Sequence, residues 1–137
     1  MVNKSIRIIL DTNLWISFLI SNNFDKLTQL LLSNRIKLLF SNELLEEFLN
    51  VVNMPKLRKY FSKTKLSSLM QQVNAHAEFV EVTSIVNDCR DIKDNFLLAL
   101  AIDGNADFLL TGDKDLLVLN PYRSTKILTL TEFYGTL

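Results

Sequence analysis

The stretch Ile6-Arg7-Ile8-Ile9-Leu10-Asp11 decides the fold of this chain. Its β-branched and apolar residues predict a buried strand at about residues 6–10, with Asp11 at the carboxyl end of that strand. Open α/β folds bind their ligands at this end of their strands. Asp11 is therefore the first candidate for a functional residue.

Strands and helices alternate along the rest of the sequence. Further strands are predicted at 36–40, 79–82, 107–111 and 126–130, and helices at 13–20, 24–32, 41–52, 66–73, 94–102, 115–119 and 131–134. Asn13 and Ser41 are suited to cap the helices that they open, and Gly104 to end the helix before it. This alternation predicts an α/β fold whose parallel sheet is covered on both faces, so the strands ending near 10, 40 and 110 share one edge.

Length and composition favour one domain spanning residues 1–137. The chain is 48% hydrophobic, which is enough for a single core, and it has no low-complexity tract. Its one cysteine, Cys89, cannot form an internal disulfide, so we expect a reducing compartment and a cytoplasmic location. No signal-peptide core and no apolar run long enough for a membrane span is present.

Acidic residues cluster beside the predicted core elements. They are Asp11, the group Glu43, Glu46 and Glu47, the pair Asp91 and Asp94, and the pair Asp113 and Asp115. A single acid after a strand is often only a helix cap or turn former, but several converging carboxylates repel one another unless a cation or raised pKa values relieve the repulsion, and a metal is the simpler explanation. Mg²⁺ and Mn²⁺ prefer such oxygen ligands, and they can activate water for attack on a phosphodiester. The only histidine, His76, lies in an apolar-striped helix and is expected to be structural or exposed.

A basic segment follows the glutamate group, although the formal net charge is zero. No acidic residue occurs between Phe48 and Ala77, whereas this interval contains Lys56, Arg58, Lys59, Lys63 and Lys65. Such a segment can bind a phosphate backbone, or it can be a solvated turn between two helices. For Trp15 and Phe18, core packing or a dimer interface is a better expectation than stacking on bases.

Four segments, taken together and in order, resemble one known family. They are Ile8-Ile9-Leu10-Asp11-Thr12-Asn13, Ser41-Asn42-Glu43-Leu44-Leu45-Glu46-Glu47-Phe48, Cys89-Arg90-Asp91-Ile92-Lys93-Asp94-Asn95, and Ala106 to Leu116 with its Thr111-Gly112-Asp113. They resemble PIN-domain proteins, and most closely the prokaryotic VapC-like toxins of toxin–antitoxin systems. The resemblance implies a three-layer α/β/α domain with a central parallel sheet. It also implies an endoribonuclease that depends on Mg²⁺ or Mn²⁺, acts on RNA, is often a homodimer and is often inhibited by an antitoxin protein.

The resemblance also implies roles for individual residues. Asp11, Asp94 and Asp113 would bind the metal, and Glu47 would be the fourth catalytic acid, with Glu43 and Glu46 as rivals. Glu43 and Glu47 are one turn apart on the same helix face, so both could face the site. Supporting roles are expected for Asp115, Thr12, Asn13 and Thr111, with Asn95 either in support or as a cap, and RNA contacts for Arg90, Lys93, Lys114, Lys56, Arg58 and Lys59. We expect Asp88, Asp91 and Asp103 at the surface.

Rival interpretations differ in chemistry. A phosphatase of the haloacid dehalogenase type would need a second aspartate two residues after the first, where this chain has Asn13. A receiver domain would need a lysine after its last strand, whereas Lys126 begins that strand. The remaining alternative is a catalytically silent PIN-like module that binds RNA or a protein. Retention of the acids argues against it, because a pure binding module gains nothing from mutually repelling carboxylates.

Overall fold

A computed structural model describes residues 5–21, 29, 33, 35–60 and 62–136. The strands are β1 (Ile6–Leu10), β2 (Ile36–Phe40), β3 (Ala77–Phe79), β4 (Phe108–Leu110) and β5 (Lys126–Leu128). The helices are α1 (Thr12–Ser21), α2 (Asn42–Val52), α3 (Lys63–His76), α4 (Asn95–Asp103), α5 (Lys114–Leu117) and α6 (Leu130–Gly135). Short 3₁₀ turns occupy Arg58–Tyr60 and Ile92–Asp94. The fold is the predicted three-layer α/β/α arrangement around a central parallel sheet.

The sheet has the strand order β3-β2-β1-β4-β5, and every pairing is parallel. The first strand lies in the centre, where Ile8 is paired with Leu38 on one side and with Phe108 on the other. A central parallel strand is buried on both faces, which accounts for its continuous apolar run. The carboxyl ends of β1, β2 and β4 therefore lie side by side at one edge, as the sequence predicts.

The core is formed by the sheet and by buried side chains of the helices, among them α4 and α1. In α4 the residues Leu97–Ala101 are all buried, as expected for a helix that is apolar on every side. In α1 the ring of Trp15 is buried and lies 5.6 Å from the ring of Phe40 and 6.2 Å from that of Phe48. Trp15 is thus a core residue and does not offer its ring to bases.

Two details differ from the sequence-based expectations. The third strand lies at Ala77–Phe79, so the predicted strand at 79–82 is displaced towards the N-terminus; α3 runs directly into it, and pairing with β2 fixes its register. Gly104 ends α4 with φ of −89°, whereas Asn105 has the positive φ of 50°. Gly104 is needed for space, because a Cβ there would lie 2.9 Å from the carbonyl oxygen of Leu100.

The helix predicted at 24–32 and the side chain of Phe18 lie outside the described residues. In the basic segment, Lys56, Arg58 and Lys59 lie in the turn between α2 and α3, which includes the 3₁₀ turn Arg58–Tyr60, whereas Lys63 and Lys65 lie in the first turn of α3. Within the described part of the chain, no helix is long and apolar enough to cross a membrane.

Candidate metal centre

Acidic side chains from four places in the sequence meet at the carboxyl edge of the sheet. Asp11 follows β1, Asp113 follows β4 by three residues, Asp94 directly precedes α4, and Glu47 lies in the middle of α2. These four acids line a small cavity of about 30 Å³ together with Thr12, Asn13 and Leu97. Parallel topology therefore brings together the four acids for which the family resemblance implies a catalytic role.

A fifth acid, Asp91, extends this group. One carboxylate oxygen each from Asp91, Asp94 and Asp113 lies within 4.8 Å of the other two. Asp91, which the sequence analysis expects at the surface, is half-buried and belongs to this group. The 3₁₀ turn Ile92–Asp94 separates Asp91 from Asp94 by three residues and turns both carboxylates to the same side.

The donor set fits a hard divalent cation. Three carboxylate oxygens at this mutual separation can approach one ion, and Mg²⁺ and Mn²⁺ are bound by oxygen donors. In addition, Oδ2 of Asp94 is buried and has no hydrogen-bond partner, whereas buried polar atoms are normally paired. A bound cation would satisfy that oxygen.

Asp11 is held by three contacts that involve its main chain and its carboxylate. Its N–H donates to the carbonyl oxygen of Leu110 (3.1 Å), and its Oδ1 accepts from the N–H of Leu14 (3.2 Å). Its Oδ2 accepts from the hydroxyl of Thr111. Asp11 thus takes the capping position at the start of α1 that the sequence suggests for Asn13, and Asn13 is left exposed at the cavity.

Thr111 also connects Asp11 to Asp113. The Oγ1 of Thr111, which is completely buried, accepts a hydrogen bond from the N–H of Asp113 at 3.0 Å. Asp113 in turn accepts from the N–H of Asp115 through its Oδ1 at 2.9 Å and so caps α5. Two acids from different strands are therefore fixed relative to each other by one threonine.

Burial and charge repulsion raise the pKa of two carboxyl groups in the cavity. The pKa of Asp94 rises to about 7, first because the group is desolvated and then because of Asp113, Asp91 and Asp11. Desolvation also raises the pKa of Glu47, and Asp11 adds to this effect, whereas the Thr12 hydroxyl opposes it. A cation would relieve this repulsion by favouring the charged forms.

The other predicted acids lie outside the cavity lining. Glu43 and Glu46 are exposed on α2, so among the three glutamates it is Glu47 that lines the cavity. Asp115 contributes its backbone N–H, which supports Asp113, and its carboxylate is not part of the lining. Asp88 is exposed, and Asp103 accepts hydrogen bonds from the backbone of Thr83 and Ser84 (2.6 and 2.8 Å).

Asn95 has a supporting role of a different kind from capping. Its side chain is buried, and its Oδ1 accepts from the N–H of Cys89 at 2.9 Å. This bond anchors the loop that carries Asp91 to the start of α4. Burial raises the pKa of the Cys89 thiol, which suits a packing role.

The predicted RNA-contacting residues are all exposed. Arg90 and Lys93 flank Asp91, and Lys114 follows Asp113, so these three cations adjoin the acidic group in sequence. Lys56, Arg58 and Lys59 form a separate basic surface in the turn after α2. None of these three residues belongs to the cavity lining.

The chain thus combines a parallel α/β sheet with an acidic site at the carboxyl edge of that sheet. The family model described as PIN domain matches residues 7–115, and the chain belongs to this family. It is 31% identical over 117 residues to the uncharacterized protein MJ1680 of Methanocaldococcus jannaschii, covering 83% of this chain and 75% of that protein.

Among solved structures, the chain is similar in fold to a chain of VapBC2 from Rickettsia felis bound to a DNA fragment from its promoter. That match has a TM-score of 0.52 at 16% identity and covers 89% of this chain and 97% of the other. It supports the fold assignment alone.

Proposed function

We propose that this protein is a metal-dependent endoribonuclease that hydrolyses phosphodiester bonds in RNA, and that it is the VapC-like toxin of a toxin–antitoxin pair. The observation that carries the proposal is the meeting of Asp91, Asp94 and Asp113 within 4.8 Å, beside a cavity that Asp11 and Glu47 also line. Carboxylates that repel one another in this way are typical of functional sites at which a cation is bound.

The metal would be Mg²⁺ or Mn²⁺, held by Asp94, Asp113 and Asp11, with Asp91 as an additional ligand. When bound, such an ion lowers the pKa of water and stabilises negative charge on the phosphate oxygens. The buried, unpartnered Oδ2 of Asp94 supports this assignment independently of the family.

The protein's own groups then have separate tasks. Asp11 keeps one orientation because Thr111 and the N–H of Leu14 bind its two oxygens. Glu47 is half-buried, and its pKa is raised towards neutral pH. Such a pKa suits a carboxylate that accepts a proton from the attacking water. Arg90, Lys93 and Lys114 would contact backbone phosphates and position the RNA without reading its sequence.

The biological assignment rests on family membership. VapBC2 of Rickettsia felis is a complex bound to a fragment of its promoter DNA, and by analogy we propose an antitoxin protein as a partner of this chain. We further propose a homodimer that acts in the cytoplasm, where its RNA substrate is found. Co-purification of the protein with the product of an adjacent gene encoding a small DNA-binding protein would support the pairing.

The deciding experiment compares wild type with Asp11→Asn on a panel of single-stranded RNAs. Each protein is incubated with EDTA, Mg²⁺ or Mn²⁺, after circular dichroism has verified that both are folded. We expect cleavage by the wild type with either metal, no cleavage with EDTA, and a loss of about 10²-fold or more in the variant. Equal products from both proteins would point to contamination. Binding of RNA without metal-dependent cleavage would favour the catalytically silent module.

A further inference from the structure

A second cavity opens directly beside the metal centre and has a different chemical character. Its volume is about 380 Å³, and it is lined by Asp11, Asn13, Leu14, Ser17, Gly112 and Asp113. Asp11 and Asp113 belong to both cavities. Any molecule that occupies the larger cavity, here called the α1 groove, therefore lies next to the carboxylates of the metal centre.

One wall of the α1 groove is a face of α1. Asn13 and Ser17 are four residues apart, hence one turn apart on the same side of the helix, and both are exposed. Beside them Leu14 offers a half-buried apolar surface. This wall combines an amide and a hydroxyl, both of which can donate and accept hydrogen bonds, with a patch suited to an apolar face.

Another part of the lining is the backbone of Gly112. The backbone of Gly112 is not in the left-handed region, so its conformation does not demand glycine. A Cβ placed on Gly112 would also meet no atom within 4 Å, so packing does not demand glycine either. The space that a side chain would fill at this position is open, and Gly112 lines the groove.

The charges of the α1 groove restrict what it can bind. Apart from Asp11 and Asp113 at the end shared with the metal centre, its lining is uncharged and contains no lysine or arginine. A phosphate would find no counter-charge there, whereas a base and a ribose could use the amide, the hydroxyl and the apolar patch. The volume falls within the range of pockets that enclose small ligands.

We infer that the α1 groove binds the nucleoside adjoining the scissile phosphate of a single-stranded RNA, and that Gly112 lacks a side chain in order to admit it. The inference rests on the proposed ribonuclease function and adds a substrate subsite to it. Asn13 and Ser17 then contact the base edge or the ribose 2′-hydroxyl, and Leu14 lies against the base.

The test places bulk on each wall in turn, with Gly112→Leu from the loop and Ser17→Phe from α1. The matched control is Gly135→Leu, because a Cβ at Gly135 also meets no atom within 4 Å but Gly135 lies in α6. Steady-state cleavage of a labelled single-stranded RNA is measured with Mn²⁺ for all proteins. Calorimetric titration with Mn²⁺ alone reports whether the acidic cluster is intact.

We expect both groove variants to lose about tenfold or more in kcat/KM, since misplaced reacting groups commonly cost that much, and to keep wild-type Mn²⁺ affinity. The control should cleave RNA as the wild type does. If Gly112→Leu also loses Mn²⁺ affinity, the substitution has disturbed the acidic cluster. The cleavage rate of Ser17→Phe, whose substitution is on α1, then decides whether the subsite exists.

Two negative results have different meanings. If both groove variants are folded and cleave RNA at the wild-type rate, the subsite is overturned and the ribonuclease proposal still stands. Absence of metal-dependent cleavage by the wild type on every RNA overturns the proposed function and the subsite together.

Discussion

The hydroxyl of Thr111 donates a hydrogen bond to the carboxylate of Asp11, one hundred residues away in the sequence. The same oxygen accepts from the N–H of Asp113, so a single buried side chain aligns acids that follow two neighbouring strands. A threonine does this because its hydroxyl both donates and accepts.

Replacing Thr111 by valine keeps the shape of the side chain and removes both hydrogen bonds. We expect a loss of about 1–3 kcal/mol in the free energy of unfolding, because Asp11 and the N–H of Asp113 lose a buried partner. We also expect RNA cleavage to fall about 10- to 100-fold, as when the support of a metal ligand is removed. Urea denaturation and initial cleavage rates measure the two effects.

Thr125→Val is the matched control for that variant. Thr125 is also buried, and its hydroxyl donates to the carbonyl oxygen of Ala106 at 2.8 Å, before β5 and away from the acids. It should lose stability to a similar degree and keep its cleavage rate. Equal loss of activity in both variants would mean that stability alone accounts for the effect of Thr111→Val.

Substitutions of the three glutamates of α2 should affect the rate of RNA cleavage to clearly different degrees. Glu47 lines the cavity, whereas Glu43 and Glu46 are exposed. We expect Glu47→Gln to lower kcat by about 10²-fold, within the range for removal of a positioned proton acceptor. Glu43→Gln and Glu46→Gln, which make the same chemical change on the same helix, should stay close to the wild-type rate. An equally large effect of Glu43→Gln would contradict the assignment.

Asp91→Asn tests the acid that the sequence places at the surface. An asparagine can still accept from the N–H of Lys93, as Asp91 does at 3.1 Å, so the 3₁₀ turn should persist. We expect Mn²⁺ affinity to fall about 10- to 100-fold in calorimetric titrations. Asp88→Asn, at an exposed acid in the same loop, should leave Mn²⁺ affinity unchanged; a similar fall there would indicate nothing more than lost net charge.

The raised pKa of Asp94 predicts opposite effects of pH on stability and on metal affinity. The folded protein keeps this proton up to about pH 7, whereas the unfolded chain loses it near 3.8. Between these values the folded state binds more protons at Asp94, so the contribution of this residue to the free energy of unfolding without metal should decrease as the pH rises from about 4 to about 7. Ionisation of Asp94 completes the ligand set, so Mn²⁺ affinity should increase over the same interval.

Thermal unfolding with EDTA, and Mn²⁺ titrations between pH 5 and 8, measure both trends. Asp94→Asn carries no titrating group, so the decline in stability contributed by this residue should be absent from it. If stability in EDTA depends on pH in the same way for the wild type and for Asp94→Asn, Asp94 is ionised throughout.

Gly104 provides a prediction about the fold itself. A Cβ at Gly104 would lie 2.9 Å from the carbonyl oxygen of Leu100 and 2.9 Å from Cδ1 of Leu39. We expect Gly104→Ala to cost about 1–3 kcal/mol, the usual range for an overpacked core. Gly135→Ala, where the added Cβ meets nothing, should be neutral or slightly stabilising. Chemical denaturation measures both, and equal stability of the two variants would refute the steric argument.

The main features of the fold follow directly from the sequence, because continuous apolar runs such as Ile6–Leu10 and Ile36–Phe40 leave little choice for a buried parallel strand. The exact position of β3 does not, since three residues paired to β2 decide it and local composition hardly constrains them. A local interaction already explains the position of the Asp91 side chain, because it caps the 3₁₀ turn by accepting a hydrogen bond from the N–H of Lys93. Only its distance to Asp113, which depends on tertiary structure, brings it into the acidic group.

The signal that could have identified Asp91 is its spacing of three residues from Asp94 immediately before an apolar helix. Likewise, Asp11 can cap α1 only because its own carbonyl and carboxylate lie at the first turn, a detail that depends on where the helix begins. Sequence patterns locate such acids to within a turn, and hydrogen bonds between strands then assign their orientation.

The order of the strands has a consequence for the synthesis of this protein. The central strand β1 is made first, but the carboxylate of Asp11 is oriented only when Thr111, which follows β4, has been added. The N–H of Thr111 in turn donates to the carbonyl oxygen of Leu128 in β5. A ribosome producing the chain therefore holds an incomplete centre until residue 128 has emerged. The acidic group is thus a late product of synthesis, because its carboxylates can meet only after the strands on either side of them have been made.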